Sequence, residues 1–467
     1  MQTQALTPTT ELSEIPHLVA SLQRAFESGR TRPMEWRREQ LQHLKALLEE
    51  REDDLLDALA ADLGKPRLEG WATDIGIVIN EIEHALRHLA GWMKPERVWT
   101  PIAQRPARAA IHREPKGVVL VIAPWNYPVH LLLLPMVGAL AAGNCVVGKP
   151  SEVTAHTSAA LARLVPEYLD RESIAIVEGG VPETQALLAE RFDHIFYTGN
   201  GRVGHVVMEA AGKHLTPVTL ELGGKSPAIV DRDANLDVAA RRIAFGKFLN
   251  AGQTCIAPDY VLVTRDQELP LIERIGQVIR EFYGPDPAQS PDYARIVNDA
   301  HFQRLEQLLG SGAPAVGGDR RASERYIAPT VLRDVAADSP VMSDEIFGPI
   351  LPVLPVADVD EAIRFVNDRD RPLALYLFSE SHAVQQRVLA ETTSGGACVN
   401  TTVMHVAVPE LPFGGVGPSG MGAYHGKASF DVFSHRKSVL TRPARPDPKI
   451  AYPPYTRLKE RIIRRFF

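Results

Sequence analysis

Three residues in this sequence are of types that take part in acyl chemistry, and each lies in a motif rich in turn-forming residues. Cys255 ends Gly-Gln-Thr-Cys, Glu221 begins Glu-Leu-Gly-Gly-Lys-Ser-Pro, and Asn126 lies within Pro-Trp-Asn-Tyr-Pro. A thiolate is a nucleophile, a partly buried carboxylate is a general base, and a fixed amide N–H stabilises an oxyanion. Each residue also has a structural alternative, which is an inert buried thiol, a surface Glu at a strand end and a turn-forming Asn.

Alternating strand and helix patterns must position these motifs. Short apolar runs predict the strands of a first sheet, Val118–Ala123, Cys145–Gly148, Ile174–Glu178, His194–Thr198 and Val218–Leu222. Helical periodicity separates them, at Leu131–Ala142, Ala155–Val165, Glu183–Glu190 and Val203–Ala211. This alternation is typical of a parallel sheet that helices cover on both faces.

A second alternating block begins near Pro227 and predicts a second α/β domain. Its predicted strands are Ala228–Val230, Tyr260–Val263, Ala374–Phe378 and Gly396–Val399, and its predicted helices are Leu236–Leu249, Leu271–Phe282 and Val359–Val366. The other two cysteines, Cys145 and Cys398, fall inside predicted strands, where an inert buried thiol is the better interpretation.

The remaining segments lie outside both sheets. Helical patterns cover Pro16–Leu63 and Trp71–Trp92. Val98–Glu114 is typical of a hairpin, and Phe430–Leu440 alternates like a strand. Unpaired strands of this kind often pair with another subunit, and an ordinary surface hairpin is the alternative.

Composition limits the class of protein. A chain of 467 residues exceeds one hydrophobic core, which stops growing at about 250–300 residues, so we expect two large domains. A hydrophobic content of 45% is that of an ordinary globular protein, and a net charge of −6 argues against a nucleic-acid partner. The three cysteines form no disulfide framework or zinc spacing, and no histidines have metal-ligand spacing, so we expect reduced thiols, a cytoplasmic location and no metal. The sequence shows no signal peptide and no clean membrane span.

Five motifs follow one another in a fixed order. They are PWNYP at 124–128, KPSE at 149–152, ELGGKSP at 221–227, GQTC at 252–255 and EIFGP at 345–349. In this order they resemble the aldehyde dehydrogenase superfamily, and the resemblance covers about residue 10 to about residue 440. It implies a Rossmann-type cofactor domain at 1–97 and 115–223, a second α/β catalytic domain at 224–415, and oligomerisation strands at 98–114 and 430–440, followed by a basic tail at 441–467.

The resemblance implies a catalytic role for each of the three residues. Cys255 matches the nucleophile that attacks the aldehyde and forms a thioester. Glu221 matches the general base that activates water to hydrolyse the thioester. Asn126 matches the donor that, with the Cys255 backbone N–H, stabilises the oxyanion.

The resemblance also implies NAD or NADP as the cofactor. Lys149 and Glu152 match the residues that hold the adenosine ribose, at the carboxyl end of a strand. The Glu152 carboxylate would repel a 2′-phosphate, which mildly favours NAD. Glu345 and Phe347 match the pair that positions the nicotinamide end, and a purely structural loop is the alternative.

A glycine run matches the part of the family pattern that approaches the pyrophosphate. Gly199 and Gly204 bound it, and the helix that follows directs its N-terminus at the phosphates. The second and third positions, commonly Ser and Thr in the family, are Asn200 and Gly201 here. Backbone donors survive this change, but a hydroxyl contact does not.

The subgroup is indicated by local sequence. Tyr127, the run CIAPDY at 255–260 and the run GAYHGK at 422–427 resemble class 3 aldehyde dehydrogenases. Members of this class oxidise medium-chain aliphatic and aromatic aldehydes and form dimers, so the resemblance implies a small aldehyde substrate and a homodimer. For the basic tail, we favour a solvated or subunit-docked segment over contact with a membrane surface.

Two rival functions remain. A CoA-acylating aldehyde dehydrogenase shares the fold but usually lacks the general base, so the presence of Glu221 argues against it. A catalytically silent binding protein on the same scaffold would have lost Cys255, Glu221 or Asn126, and none is lost.

Overall fold

The computed structural model of the chain describes residues 10–447 and 449–466. The strands are β1 (Glu96–Val98), β2 (Arg108–Pro115), β3 (Val118–Ile122), β4 (Cys145–Lys149), β5 (Ile174–Ile176), β6 (His194–Thr198), β7 (Val218–Glu221), β8 (Pro227–Val230), β9 (Tyr260–Thr264), β10 (Ala313–Val316), β11 (Arg320–Arg321), β12 (Tyr326–Ile327), β13 (Thr330–Arg333), β14 (Ile350–Val356), β15 (Ala374–Phe378), β16 (Gly396–Val399), β17 (Gly420–Met421) and β18 (Ser434–Thr441). The α-helices are α1 (Ile15–Glu27), α2 (Met34–Glu50), α3 (Glu52–Leu63), α4 (Arg67–Gly70), α5 (Gly76–Trp92), α6 (Pro128–Ala142), α7 (Ala155–Tyr168), α8 (Val181–Ala189), α9 (Gly201–Gly212), α10 (Leu236–Phe248), α11 (Glu268–Tyr283), α12 (Asp299–Leu308), α13 (Pro340–Ser343), α14 (Val359–Asn367), α15 (His382–Glu391), α16 (Gly426–Val432) and α17 (Arg457–Phe466).

The first sheet has six strands in the order β17-β7-β6-β3-β4-β5. All neighbours are parallel except β17, which pairs antiparallel with β7. From β3 the chain proceeds to β4 and β5 on one side, then returns to β6 and β7 on the other. The strand order therefore reverses between β3 and β6, where open α/β sheets bind ligands at the strands' carboxyl ends. The predicted strands are confirmed to within two residues, because continuous apolar runs identify strands that are buried on both faces.

The second sheet has seven strands in the order β10-β13-β14-β9-β8-β15-β16. It is parallel except at β10. The four predicted strands are present, and three further strands, β10, β13 and β14, were missed. Because β14 carries Pro352 and Pro355, which cannot donate to a strand ladder, its sequence does not indicate an interior strand.

A third sheet contains the two segments that fitted neither domain. Its order is β1-β2-β18, and both pairs are antiparallel. The prediction that the strand at Phe430–Leu440 begins at Phe430 was wrong, because α16 occupies Gly426–Val432 and β18 begins at Ser434. Phe430 is 1% exposed and its ring lies 5.6 Å from that of Trp92, so packing against α5 decides the conformation there.

The predicted helical segment Pro16–Leu63 is helical, but the breaks within it were not predicted. Three helices, α1, α2 and α3, occupy this stretch. Gly29, with φ of +80°, and Pro33 separate the first two, because neither residue continues a helix readily. At the other end of the chain, the tail contains α17. None of the helices within the described residues is long and apolar enough to cross a membrane.

Candidate active site

A tight turn between α10 and β9 places the Gly-Gln-Thr-Cys motif. Asn250, Ala251 and Gly252 have φ of +51°, +52° and +75°. A Cβ atom on Gly252 would lie 2.2 Å from the backbone oxygen of Gly348, so only glycine fits where the chain passes the EIFGP motif. This turn reverses the chain directly before Cys255 and brings two of the predicted motifs into contact.

The Gln253 side chain fixes this turn from inside. It is fully buried, and its Nε2 donates to the backbone oxygens of Asn250 and Arg295, each at 3.0 Å. Its Oε1 accepts from the Val297 N–H at 3.0 Å. Both N–H groups of the Gln253 amide and its oxygen therefore have partners, which holds the loop before Cys255 in one conformation.

The Cys255 thiol is half-buried and close to two carboxyl groups. Burial raises its pKa most, and the charges of Glu345 and Glu221 raise it further, while the N–H groups of Cys255 and Ile256 lower it. Burial and the two carboxyl groups therefore favour the protonated thiol, whereas the two backbone donors favour the thiolate.

The other two cysteines differ in their surroundings. Cys145 lies inside β4, and burial raises the pKa of its thiol to about 12. Cys398 lies inside β16 with its sulfur 3.2 Å from Nδ1 of His405, and burial raises its pKa too. Both thiols therefore belong to buried strands, whereas Cys255 lies in a loop.

Glu221 is the last residue of β7, and its carboxyl group has no hydrogen-bond partner among the described residues. The side chain is 2% exposed, and both carboxylate oxygens are buried and unsatisfied. Burial raises its pKa well above the ordinary value of 4.5. Its backbone is held from both sides, because it pairs with Gly420 and its carbonyl accepts from the Gly199 N–H at 3.0 Å.

Asn126 follows β3 and joins the loop that carries Cys255. Its Nδ2 donates to the Gln253 carbonyl at 3.0 Å, which leaves its second N–H available. Its own carbonyl accepts from Asn250 Nδ2 at 2.8 Å. The adjacent Tyr127 hydroxyl lies 2.5 Å from Thr254 Oγ1. The Asn126 side chain therefore contacts the loop that carries Cys255, and the charge of Glu221 acts on the Cys255 thiol.

Lys149 and Glu152 lie together at the carboxyl end of β4. The Lys149 side chain is 2% exposed, and its Nζ donates to the Pro150 carbonyl at 2.8 Å. Glu152 Oε2 is 3.7 Å away, on a side chain that is 51% exposed. Burial lowers the pKa of the Lys149 ammonium, and the Glu152 charge opposes that effect. The pair combines a fixed ammonium with a movable carboxylate.

Gly199 and Gly204 flank the start of α9 at the carboxyl end of β6. A Cβ on Gly204 would be 3.0 Å from Leu222 Cδ2, so the glycine allows this helix to pack closely beside β7. Asn200 caps the helix by accepting from the Val203 N–H at 3.0 Å. The other N–H groups of the first turn remain available at the point where the strand order reverses.

Glu345 and Phe347 approach the same cleft from the second sheet. A Cβ on Gly223 would lie 1.8 Å from Glu345 Oε2, so this carboxyl group rests directly on the glycine backbone. Burial, and then the charge of Asp259, raise the pKa of Glu345 to about 8. The Phe347 ring stands edge-on to that of Trp125, with 5.3 Å between centroids.

An ion pair that sequence reasoning missed holds this loop. Lys225 Nζ donates to Asp259 Oδ2 at 2.5 Å and to the carbonyls of Val341 and Asp344, each at 2.9 Å. Asp259 Oδ1 accepts from the Ile346 N–H at 3.1 Å. Both charged residues lie inside or beside quoted motifs, but no sequence spacing indicates that residues 225, 259 and 346 meet.

The residues present fit a nicotinamide dinucleotide. The crevice at the strand-order reversal contains a buried ammonium on Lys149, a helix N-terminus after Gly199, and a buried Glu345 Oε1 with no partner. These are groups that can bind ribose hydroxyls and phosphate. Among the described residues, no cluster of three or more His, Cys, Asp or Glu side chains could hold a metal ion.

Comparisons with known proteins agree with this arrangement. A family model described as "Aldehyde dehydrogenase family" matches residues 2–439. The chain is 50% identical over 445 residues to "Aldehyde dehydrogenase, dimeric NADP-preferring" of Mus musculus, with 95% of this chain and 98% of that protein covered. It is 53% identical to "Aldehyde dehydrogenase family 3 member B1" of Homo sapiens, with 90% of each chain covered. The solved structure of substrate-bound Staphylococcus aureus AldH superposes with a TM-score of 0.95 at 47% identity, over 97% of this chain and 99% of that one.

Proposed function

The chain belongs to the aldehyde dehydrogenase family, with class 3 members among its relatives, and it oxidises aldehydes with NAD or NADP. On that premise we propose that it converts a medium-chain aliphatic or aromatic aldehyde to the carboxylate through a thioester on Cys255. Glu221 serves as general base and Asn126 as oxyanion donor. The alternatives are transfer of the acyl group to CoA and a scaffold without catalysis.

The unsatisfied carboxyl group of Glu221 is the observation that carries this proposal. A buried polar group without partners costs folding stability, so it is retained where it has a function. Its charge raises the pKa of the Cys255 thiol, which means that the two groups are close. Hydrolysis of a thioester needs a base at that place, whereas transfer to CoA does not.

Acylation begins with loss of the Cys255 proton to solvent water, and the backbone N–H groups of Cys255 and Ile256 stabilise the thiolate that forms. The thiolate then attacks the aldehyde carbon and forms a carbon–sulfur bond. Negative charge develops on the aldehyde oxygen, where the second N–H of Asn126 and the backbone N–H of Cys255 can donate. Re-formation of the carbonyl breaks the carbon–hydrogen bond at the same carbon and leaves the thioester on Cys255, and NAD or NADP, when bound, would accept the hydride.

Deacylation uses the Glu221 carboxylate as its base. Glu221 removes a proton from water, the hydroxide attacks the thioester carbon, and the carbon–sulfur bond breaks to release the carboxylate product. The raised pKa of Glu221 makes its ionised form a stronger base than an exposed Glu. Lys149, Glu152 and Glu345 hold the cofactor ribose groups, and the first turn of α9 meets the pyrophosphate.

Aromatic side chains near the reacting groups support an apolar substrate. Burial and then the charges of Glu221 and Cys255 raise the pKa of the Tyr424 phenol, so this ring lies beside both groups. Tyr127 is buried and adjoins the Cys255 loop through Thr254. Two rings beside the nucleophile favour alkyl chains or aromatic rings over polar aldehydes.

A panel of aldehydes tests the reaction and separates the alternatives. We expect reduced-nicotinamide absorbance to rise with alkyl and aromatic aldehydes in the absence of CoA, with kcat/KM increasing along a short alkyl series. Turnover that requires CoA would indicate the acylating enzyme. Cofactor binding without turnover of any aldehyde would indicate the silent scaffold.

We also propose dual cofactor use with a preference for NAD. The Glu152 carboxylate repels a 2′-phosphate, but its side chain is half-exposed and can rotate away. The relatives from Mus musculus and Rattus norvegicus are named NADP-preferring, which agrees with access for both cofactors. The ratio of kcat/KM values for NAD and NADP measures the preference directly.

We also propose that the protein is a homodimer whose subunits meet at the third sheet. Along β18 most side chains are exposed, and Leu440 is 58% exposed. Trp99 and Ile102, in the connection between β1 and β2, are 70% and 64% exposed. The word "dimeric" in the relative's name supports the same state. Light scattering at micromolar concentration should give about twice the chain mass of 51.3 kDa, and proline at Val439 should shift it toward monomer.

We propose a cytoplasmic location, and a C-terminal tail that is solvated or docked on another subunit. The three thiols suit a reducing compartment, and α17 contacts the turn at 449–451 that precedes it. Cell fractionation tests the location: recovery in the membrane fraction that is lost on deleting residues 449–467 would contradict it.

A further inference from the structure

A fully buried ion pair lies behind the predicted oxyanion site. Lys65 follows α3, and Asp74 lies in the π-helical turn Trp71–Ile75 that joins α4 to α5. Lys65 Nζ is 2.8 Å from Asp74 Oδ2, and both side chains are 0% exposed. Neither residue belongs to the five motifs.

The Lys65 ammonium also contacts the loop that carries Asn126. It donates to the Asn126 carbonyl at 3.1 Å and lies 4.2 Å from the centre of the Tyr127 ring. Asp74 binds the next part of the same segment, because its Oδ1 accepts from the N–H groups of Val129 and His130 at 3.2 and 3.3 Å. The pair therefore holds the loop between β3 and α6 on both sides of Tyr127.

Stability alone does not explain such a pair. Desolvating two charges is costly, and well-packed apolar residues at buried ion pairs are often as stable or more stable. Here every identified hydrogen bond from Lys65 and Asp74 beyond their mutual contact goes to residues 126–130. A role in the geometry of that loop accounts for where the charges are placed.

We propose that Lys65, anchored by Asp74, is a positioning residue for the oxyanion donor Asn126. The Asn126 carbonyl is fixed by Lys65 Nζ and by Asn250 Nδ2, while its side chain donates one N–H to the Gln253 carbonyl. Because the backbone and the side chain of Asn126 are both held, its second N–H points in one direction. An oxyanion donor must be positioned to within about 0.5 Å of the productive geometry. This inference rests on the proposed role of Asn126.

The test removes both charges of the pair together, and with them the opposing effects of Lys65 and Asp74 on the pKa of Glu69. In the variant Lys65→Met with Asp74→Asn, the Asn oxygen can still accept from Val129 and His130. The control is Arg113→Met with Asp431→Asn, which removes a partly buried pair between β2 and α16, with Nε–Oδ1 of 2.7 Å and side chains 5% and 28% exposed. Arg113 also pairs with Glu96 at 2.8 Å, so this control perturbs at least as many ionic contacts as the test variant. Asp74→Asn alone is the milder second variant, should the first fail to fold.

Two rates separate positioning from general damage. The burst of reduced nicotinamide reports attack on the aldehyde, which needs the oxyanion donor. Alkylation of Cys255 by iodoacetamide needs the thiolate but forms no oxyanion. We expect the burst rate to fall about 10- to 100-fold, part of the 10²–10³-fold cost of losing a donor, while alkylation changes less than about threefold. The control variant should have wild-type rates of both burst and alkylation. Asp74→Asn should also slow the burst selectively, by a smaller factor.

The Asn126→Ala background gives the decisive comparison. If Lys65 acts through Asn126, removing the pair in Asn126→Ala should slow the burst less than about threefold further. An unchanged burst in the first variant, an equal fall in burst and alkylation, or a full additional loss in Asn126→Ala would each overturn the proposal. Failure of the proposed function is a different result, because Asn126→Ala alone would then leave the burst unchanged.

Discussion

Two buried carboxyl groups lie near the cleft, and their surroundings are opposite. Asp259, just before β9, receives Lys225 Nζ at 2.5 Å and the Ile346 N–H at 3.1 Å, and Lys247 Nζ lies 3.7 Å away. Glu221, at the end of β7, receives no donor at either oxygen from residues 10–447 and 449–466. Their side chains are almost equally buried, at 3% and 2% exposure.

The difference separates an acid that holds structure from an acid that can react. A carboxylate with several donors is stabilised in its charged form and keeps neighbouring loops in place. A carboxyl group without donors carries an uncompensated desolvation cost, and its proton can exchange with a substrate or water. Burial is therefore a poor guide to function by itself, and the count of partners distinguishes the two residues.

The largest expected effect comes from removing the Cys255 thiol, which forms the thioester that Glu221 hydrolyses. Cys255→Ala should reduce turnover by more than about 10⁴-fold, because no thioester can form, while cofactor affinity stays near normal. Steady-state assays and cofactor titration measure both. Cys145→Ala and Cys398→Ala are the controls and should retain turnover. Residual turnover in Cys255→Ala that disappears on mutating another cysteine would contradict the assignment.

Neutralising Glu221 should separate the two half-reactions. In Glu221→Gln, we expect a burst of reduced nicotinamide and then a steady state slowed about 10²- to 10³-fold, because deacylation needs the base most. Stopped-flow absorbance resolves both phases. Asp259→Asn is the comparison variant. The amplitude of its burst, relative to its own steady-state rate, should be no larger than that of the wild type. A wild-type steady-state rate in Glu221→Gln would remove Glu221 from the mechanism.

The two acids should also have opposite effects on stability. A raised pKa means that Glu221 stabilises the fold fully below its unfolded value of about 4.5 and that this contribution is lost as pH rises through the folded value. Glu221→Gln should therefore melt above wild type at pH 8, with a difference that narrows as the pH falls toward 5. Asp259→Asn leaves Lys225 and Lys247 poorly paired and should cost about 3 kcal/mol. Melting curves at several pH values test both signs, and a lower melting temperature for Glu221→Gln at pH 8 would refute the first.

The smallest expected effect comes from Glu152, a third carboxylate, which is half-exposed. Glu152→Gln should raise NADP use relative to NAD by about three- to tenfold, since a solvent-screened charge repels a 2′-phosphate only moderately. The measurement is kcat/KM for both cofactors. Glu172→Gln, an exposed acid on another face, is the control. An unchanged ratio would mean that the Glu152 carboxylate turns away from the ribose.

Local sequence predicts the parts of the candidate site that lie within contiguous motifs. Cys255, Glu221 and Asn126 each lie in a short segment whose turn residues and neighbours are characteristic, and the apolar strands before them are buried on both faces. The same local reasoning missed β14, because its prolines hide an interior strand, and it extended β18 into α16, where packing of Phe430 decides the conformation.

The supporting contacts could not be predicted because they join distant positions. Lys65 and Asn126 are 61 residues apart, and Lys225 and Asp259 are 34 apart, with no periodicity that relates either pair. An isolated Lys in a loop has the same local pattern whether it is solvated or buried. Only the packed fold distinguishes these lysines from the many exposed ones.

Trapping the acyl-enzyme tests the central claim most directly. Glu221→Gln is mixed with cofactor and a medium-chain aldehyde, quenched in acid after the burst, digested and analysed by mass spectrometry. We expect an acyl group on the peptide that contains Cys255, at close to one per subunit, and none on peptides that contain Cys145 or Cys398. An unmodified Cys255 peptide after a full burst, or an acyl group on a different residue, would contradict a thioester on Cys255 that Glu221 hydrolyses.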